Sequence, residues 1–298
     1  MIHPTIAEVL ASLPAPPPGP IDPAAFRAGE AAQVPPPADR IPVASVEDAD
    51  VDGVGVRVYS ANPDPVAGSE AGVLVYLHGG AFFLGSLDTH DHVARQLARA
   101  TGWTVVSVGY RLAPEHPFPA GLDDCWTVVR WAATRGVPVA LAGDSSGGTF
   151  AAALAARAHD EGLDAVVAQV LFYPSLDLDF DVDRYASLRT EGVGYGLETA
   201  GLKPFNAFYL ESGADPDDPV VSPIKRADLS GLPPALIVTA EHDPLRDEGE
   251  LYGRRLAEAG VPVVVRRYEG ANHGFVQNFS WLPEFATVFD ETASFLSR

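Results

Sequence analysis

The chain has 298 residues and a mass of 31.4 kDa, and 47% of its residues are hydrophobic, so it is long enough to bury a core as one large domain or two small ones. Its 40 Asp and Glu against 20 Lys and Arg give a formal net charge of −20. Nucleic acids and anionic membrane surfaces attract cationic proteins, and this charge therefore excludes both as default partners.

Three features bear on the compartment. The single cysteine, Cys125, cannot form an intramolecular disulfide and is expected to be a small core residue. No stretch approaches the roughly 18 consecutive apolar residues that a membrane span needs. The first residues lack the basic segment of a signal peptide. We expect a cytoplasmic protein without a membrane partner.

The first 40 residues carry ten of the 27 prolines, including runs at 16–18 and 35–37, which exclude a long helix. A short helix is predicted at about 5–13. The composition does not separate a loose tail from an arm that lies over a site, for which apolar residues such as Ile6 and Phe26 would be suited. Residues 1–42 are therefore interpreted as the N-terminal part of a cap.

From residue 43 to residue 298 the pattern is that of one α/β domain. An Asp52-Gly53 turn predicts an antiparallel hairpin from about 43–48 and 54–60. Short apolar runs, predicted as buried strands, then alternate with helical patterns, which is typical of a mostly parallel sheet covered by helices on both faces. The runs are at 73–77, 103–108, 139–142, 166–172, 235–239 and 263–268, and the helical patterns are at 89–100, 119–134, 146–160, 246–259 and 284–297.

More than sixty residues separate the fourth and fifth of these runs. A helix near 198–210 fits there, and an insertion at this position follows the carboxyl end of a strand, where open α/β sheets bind ligands. We predict a cap insertion at about 180–215. The acidic run at 177–183 lacks the Gly and Glu of a calcium-binding loop and is expected to be a solvated loop without metal.

Gly143-Asp144-Ser145-Ser146-Gly147 is a G-x-S-x-G pattern between a predicted strand and a predicted helix. This is the pattern of a nucleophile elbow, in which a tight turn between small residues exposes the serine hydroxyl above the sheet. Ser145 is the predicted nucleophile. The amide of Ser146, at the start of the helix, points to where an oxyanion forms.

A nucleophilic serine needs a base, and the base needs an acid that orients it. The expected chain order is Ser, acid, His, and three histidines follow the nucleophile: His159, His242 and His273. The first lies several turns down the helix and the second is flanked by acidic residues. His273, in the loop after the last strand, is the predicted base.

The predicted acid is Asp243, which directly follows the strand at 235–239. The alternative is that Asp243 only caps the next helix, since Asp before Pro is common there. Its position between the predicted nucleophile and the predicted base favours the catalytic role. Glu241 and Asp247 are weaker candidates for the same role.

His78-Gly79-Gly80 directly follows the strand at 73–77. Adjacent glycines let backbone amides approach a substrate closely. We predict that the amides of Gly79 and Gly80 join that of Ser146 in an oxyanion hole. His78 is expected to order this loop.

Five motifs in this order resemble those of the hormone-sensitive-lipase-like (bacterial family IV) carboxylesterases of the α/β-hydrolase fold. They are His78-Gly79-Gly80-Ala81-Phe82, the segment Tyr110–Ala120, Gly143–Gly148, Asp243–Glu248 and His273-Gly274-Phe275. The resemblance implies an eight-stranded sheet with a two-part cap and a Ser145, Asp243 and His273 triad without cofactor or metal. It also implies hydrolysis of short- to medium-chain carboxylic esters, and homodimers are frequent in the family.

The sequence departs from the family at two positions. Ala81 stands where a third glycine is usual, which is tolerable if the backbone angles there are ordinary, and Ser146 often is alanine. Phe82, Phe83 and Phe205 are expected to wall an apolar substrate pocket. Two alternatives stay open: a ligand-binding protein, against which His273 argues, and an amidase or peptidase, for which the sequence shows no device.

Overall fold

The structure, a computed structural model, describes residues 1–13, 19–61 and 71–298. The proline run at 16–18 lies outside the described residues. In the part of the chain that is described, no helix combines the length and the apolar character that crossing a membrane requires.

Eight strands form one mixed sheet in the order β1-β2-β4-β3-β5-β6-β7-β8. The second strand pairs antiparallel with both of its neighbours, and every other pair is parallel. The prediction of an eight-stranded, mostly parallel sheet is confirmed. The strands are β1 (Ser45–Val51), β2 (Val54–Ser60), β3 (Val73–Leu77), β4 (Thr104–Gly109), β5 (Val139–Asp144), β6 (Val166–Phe172), β7 (Ala235–His242) and β8 (Val263–Asn272).

Ten α-helices accompany the sheet in the described residues. They are α1 (Pro4–Ser12), α2 (Pro23–Ala31), α3 (Asp91–Thr101), α4 (Ala120–Ala133), α5 (Ser146–Asp160), α6 (Ser187–Thr190), α7 (Thr199–Leu210), α8 (Arg246–Glu258), α9 (Phe275–Asn278) and α10 (Pro283–Leu296). Alternate side chains of the buried strands enter two separate cores. One core holds α4, α5 and α8, and the other holds α3 and α10. Cys125 is buried in the first core, as expected.

The helices with a clear 3.6-residue pattern agree with the sequence to within about two residues at each end. The sequence missed α2, α6 and α9, which are too short or too polar to show that period. Strands β7 and β8 extend past their apolar runs because they continue to pair, with His242 opposite Asn272. Their extension carries two loops of the site beyond the sheet.

The N-terminal segment packs against the domain, as the arm hypothesis requires. In α1, Ile6 is fully buried in the core with α3 and α10, and the His3 amide donates to the Gly270 carbonyl at 2.9 Å. In α2, Phe26 packs edge-on against Phe83 and against Phe205 of α7. The segment thus contacts both the sheet edge and the insertion after β6.

The acidic run at 177–183 differs from the solvated loop that we expected. Asp177 is fully buried. Its buried charge is compensated, because Arg184 and Tyr185 donate to the carboxylate and Lys225 lies 3.2 Å away. Asp179 accepts from Lys225 at 2.7 Å. These ion pairs join segments before, within and after the predicted insertion at about 180–215. Among the described residues no group of acidic, His or Cys side chains is placed to hold a metal ion.

Candidate active site

Four parallel strands end at the same edge of the sheet, and each delivers one part of the site. The loop after β3 carries the His78–Phe83 segment, and β5 ends at Asp144, directly before Ser145. Asp243 follows β7 and His273 follows β8. Residues 195 positions apart in the chain therefore meet because parallel strands bring their carboxyl ends together.

Ser145 lies on a strained turn between β5 and α5. Its backbone has φ 52° and ψ −119°, a conformation that non-glycine residues rarely adopt. The turn is closed by small residues. A Cβ on Gly147 would lie 2.0 Å from the Leu77 carbonyl oxygen, and one on Gly143 would lie 2.2 Å from the Gly147 oxygen. Glycine is therefore required at both positions.

Three side chains form a continuous hydrogen-bonded chain at this turn. His273 Nε2 lies 2.9 Å from Ser145 Oγ, and His273 Nδ1 lies 2.8 Å from Asp243 Oδ2. The Asp243 side chain is fully buried, and the Tyr173 ring packs edge-on against His273 at 4.9 Å. This is the arrangement in which a base activates a hydroxyl while an acid orients the base.

Asp243 makes the contacts that both interpretations, helix cap and orienting acid, predict. Its Oδ1 accepts from the Leu245 amide at 2.8 Å, which caps the segment leading into α8, while Oδ2 faces His273. The weaker candidates are engaged elsewhere. Glu241 accepts from the Gly270 amide at 2.7 Å, and Asp247 accepts from the Ser187 amide at 2.9 Å.

The loop after β3 (His78–Phe83) is called the oxyanion loop. It differs from the expectation at Gly79. The Gly79 amide already donates to Asp144 Oδ1 at 3.0 Å, so it is not available to a substrate. Within the described residues, the amides of Gly80 and Ala81 have no hydrogen-bond acceptor. The pair of amides that the loop offers is thus shifted by one residue, from Gly79 and Gly80 to Gly80 and Ala81.

The amide and the hydroxyl of Ser146 make different contacts. The Ser146 amide lies at the first position of α5, where helix amides are free to bind an anion. Its hydroxyl, however, accepts from the Phe82 amide at 3.3 Å and is almost fully buried. The hydroxyl therefore braces the oxyanion loop against the helix.

His78 lies buried behind the loop that it was predicted to order. Its Nδ1 is 2.8 Å from the Gly79 carbonyl oxygen, and its ring stacks on Tyr110 at 4.2 Å. Burial lowers the pKa of His78 to about 3, and repulsion from His90 adds to this effect. His78 is therefore neutral near pH 7.

The three aromatic residues predicted to wall the pocket lie in one cluster. Phe82 stacks on Tyr209 of α7 at 3.8 Å, and Phe83 contacts Phe205 at 5.8 Å. Phe82 and Phe83 have at most 1% of their surface exposed, so they form a core beneath α7 and offer no open wall. Phe205 is only partly buried.

The sequence missed two polar side chains that hold the oxyanion loop. Asp144, within the nucleophile motif, accepts from the Gly79 amide. Its position directly before Ser145 is the sequence feature that could have indicated this contact. Arg27 of α2 donates to the Phe83 carbonyl oxygen at 2.7 Å. No sequence pattern indicates this contact, since the two residues are 56 positions apart.

Comparisons with known proteins agree with this fold. A family model described as the alpha/beta hydrolase fold matches residues 74–277. Esterase LipI of Mycobacterium tuberculosis is 41% identical over 79% of this chain and 76% of its own length. Carboxylesterase NlhH from the same organism is 43% identical over 76% of this chain and 72% of its own. The ethyl acetate hydrolase of Pseudomonas putida is 39% identical over 77% and 73%.

Among solved structures, the esterase of Pyrobaculum calidifontis superimposes with a TM-score of 0.88 at 38% identity, covering 99% of this chain and 98% of that one. The chain belongs to the α/β-hydrolase fold family, in its hormone-sensitive-lipase-like branch. The fold and family that the sequence motifs predicted are confirmed.

Proposed function

We propose that this protein is a serine carboxylesterase that hydrolyses short- to medium-chain esters through an acyl-enzyme. The observation that carries the proposal is the continuous chain from Ser145 Oγ to His273 Nε2 at 2.9 Å and from His273 Nδ1 to Asp243 Oδ2 at 2.8 Å. Relatives with about 40% identity that are named esterase or carboxylesterase support it.

In the first half of the reaction, Ser145 Oγ attacks the ester carbonyl carbon while His273 Nε2 takes the hydroxyl proton. Asp243 stabilises the imidazolium and fixes its orientation. The carbonyl oxygen becomes an oxyanion held by the amides of Gly80, Ala81 and Ser146, and each such donor is worth roughly 3 kcal/mol in hydrolases. The C–O bond to the alcohol then breaks as His273 returns the proton to the leaving oxygen.

In the second half, His273 takes a proton from water, and the hydroxide attacks the acyl carbon. The tetrahedral intermediate collapses, the bond to Ser145 breaks, and His273 protonates Oγ. The products are the alcohol and the carboxylic acid. Every proton in this sequence moves through side chains of the protein, so the proposed reaction uses no cofactor.

The proposed substrate is a small ester with a short or medium acyl chain. Buried aromatic side chains, among them Phe82 and Phe83, fill the space beneath the cap and favour a short acyl group. The name of the Pseudomonas putida relative, an ethyl acetate hydrolase, supports this size. We propose Phe205, which is partly buried, as the wall of the pocket.

The domain division belongs to the same proposal. Residues 1–42 and about 180–215 form the cap, and residues 43–298 outside the insertion form the catalytic domain. Contacts of Phe26 in α2 with Phe205 in α7 support a two-part cap. A cytoplasmic location and a homodimer stay predictions.

The test is hydrolysis of p-nitrophenyl esters from acetate to palmitate by the wild type and by Ser145→Ala. We expect turnover to peak at short acyl chains, because of the filled cap core. We expect the variant to lose about 10⁶-fold in kcat, as when a triad serine is removed elsewhere.

Ser294→Ala is the matched control, since Ser294 is an exposed serine of α10. It should retain wild-type turnover. Turnover that survives Ser145→Ala would refute the assigned nucleophile. Folded wild-type protein that turns over no ester would favour the ligand-binding alternative.

A further inference from the structure

Asp144 is a buried carboxylate directly before the proposed nucleophile, and the reaction above does not use it. Its Oδ1 accepts from the Tyr76 hydroxyl at 2.6 Å and from the Gly79 amide at 3.0 Å. Only 2% of its surface is exposed. A carboxylate removed from water in this way needs a compensating positive charge nearby.

The ion-pair partner of Asp144 in the described part of the chain is His90, whose Nε2 lies 3.6 Å from Oδ2. His90 is almost fully buried, and its Nε2 has no hydrogen-bond partner in the described residues. Burial raises the pKa of Asp144, but the nearby His90 and the Tyr76 hydrogen bond outweigh it, so the pKa is lowered overall. The His78 ring stacks on His90, with the ring centroids 5.3 Å apart.

Asp144 and His78 together fix the orientation of the oxyanion loop. The Gly79 amide is held by Asp144, and the Gly79 carbonyl oxygen is held by His78 Nδ1 at 2.8 Å. That carbonyl shares a rigid peptide plane with the Gly80 amide and points the opposite way. Holding the carbonyl back therefore turns the Gly80 N–H away from His78. No side chain fits at Gly79, where a Cβ would lie 2.5 Å from Asp144 Oδ2.

We propose that His90 and Asp144 are positioning residues for the oxyanion loop: His90 lies against the buried Asp144 carboxylate, and that carboxylate holds the Gly79 amide so that the Gly80 and Ala81 amides face the reacting carbonyl. The inference rests on the proposed function. The pair contributes geometry, and it exchanges no proton with the substrate.

The experiment compares His90→Gln, Asp144→Asn and the double variant on p-nitrophenyl acetate. We expect kcat to fall about 10- to 100-fold, less than the roughly 10²–10³ of a deleted oxyanion donor, with KM within about twofold. Inhibition by a trifluoromethyl ketone, which forms an oxyanion with the serine, should weaken by the same factor. The double variant should lose no more than the worse single variant, because the pair acts as a unit.

A merely structural role would lower the melting temperature without moving the ketone affinity, and this result would overturn the inference, as would additive losses in the double variant. Tyr268→Phe is the control, since it removes a tyrosine hydroxyl whose partner, Thr287 Oγ1 at 3.1 Å, lies on α10 and not in the loop. It should retain the wild-type kcat and ketone affinity.

A second experiment tests the same inference without relying on the folding of these variants. Tyr76→Phe removes one donor from Asp144 without a change of charge, and kcat should fall about threefold. An unchanged kcat would contradict the inference. Loss of the proposed function itself is distinguishable, because the wild type would then hydrolyse no ester or Ser145→Ala would remain active.

Discussion

At the residue scale, Ala81 occupies a backbone conformation that favours glycine. Its φ is +48°, so the ordinary angles under which alanine would be tolerable are absent. The neighbour Phe82 has φ +65°. Left-handed conformations cost a non-glycine residue about 1–2 kcal/mol, so the loop stores strain next to the proposed oxyanion amides.

We expect Ala81→Gly to raise the free energy of unfolding by about 0.5–1 kcal/mol, because relief of the strain exceeds the entropy that glycine gains in the unfolded chain. Urea denaturation at neutral pH measures it. Gly80→Ala is the opposite control. Its φ is +120°, and the new Cβ would lie 2.5 Å from the Leu84 backbone, so a loss above about 2 kcal/mol is expected. A destabilised Ala81→Gly would contradict the strain argument.

Motif order predicted which residues would meet at the triad, since Ser145, Asp243 and His273 each follow a strand of one parallel sheet. It did not predict which amides of the glycine loop are free. That depends on the direction of single peptide planes, and Asp144 decides it by accepting from Gly79 at 3.0 Å. Composition and spacing carry no information at this scale.

At the element scale, α2 is attached to the oxyanion loop by one arginine. Arg27 donates to the carbonyl oxygens of Phe83 and Ala113 at 2.7 and 2.6 Å and pairs with both oxygens of Glu115 at 2.8 Å. The hydrogen bond to Arg27 lowers the pKa of Glu115 to about 2, so the pair persists in mild acid. Helix α2 is thus coupled to the proposed catalytic loop.

We expect Arg27→Met to lower the free energy of unfolding by about 2 kcal/mol, because two backbone acceptors and a carboxylate lose a charged donor. A displaced loop should also lower kcat about tenfold. Calorimetry and p-nitrophenyl butyrate hydrolysis measure the two effects. Arg99→Met, at an exposed position of α3, should change neither quantity. Equal behaviour of the two variants would show that α2 only covers the site.

Helix α7 provides a second test at this scale, which concerns the wall of the proposed pocket. Phe205 is partly buried between Phe26 and Phe83, and Phe205→Ala should open the pocket. We expect the preferred acyl chain to lengthen by about two to four carbons, since removing a phenyl ring frees space of that order. The p-nitrophenyl ester series measures the preference. Phe295→Ala, in the core beneath α10, is the control, and an unchanged preference in Phe205→Ala would place the pocket elsewhere.

At the scale of the whole molecule, one buried carboxyl couples stability to pH. Glu248 of α8 accepts from the Leu176 amide at 2.6 Å, while its Oε2 has no hydrogen-bond partner in the described part of the chain. Burial raises the pKa of Glu248 well above its usual value, and repulsion from Asp177 and Asp243 adds to this effect. The folded protein therefore holds a proton that the unfolded chain releases above about pH 4.3.

It follows that this group costs stability as pH rises from about 4.3 toward its folded pKa, by at most about 1.4 kcal/mol per pH unit. Glu248→Gln is neutral in both states. Its stability relative to the wild type should therefore increase from pH 5 to pH 8, measured by urea denaturation. Glu258→Gln, exposed on the same helix, should show no such trend. Parallel curves for the wild type and Glu248→Gln would contradict a buried protonated carboxyl.

The sequence by itself determined the sheet, the helices that cover it, which three side chains meet at the elbow and the family, because buried strands, amphipathic helices and the elbow glycines each leave a local pattern. Only the tertiary structure decided that the acidic run at 177–183 is held by buried ion pairs, that Phe82 and Phe83 are core, and that Gly79 is occupied. These outcomes depend on side chains from distant segments, such as Lys225 for Asp177 and Arg27 for the loop. Such contacts arise from packing in three dimensions, which local spacing does not record.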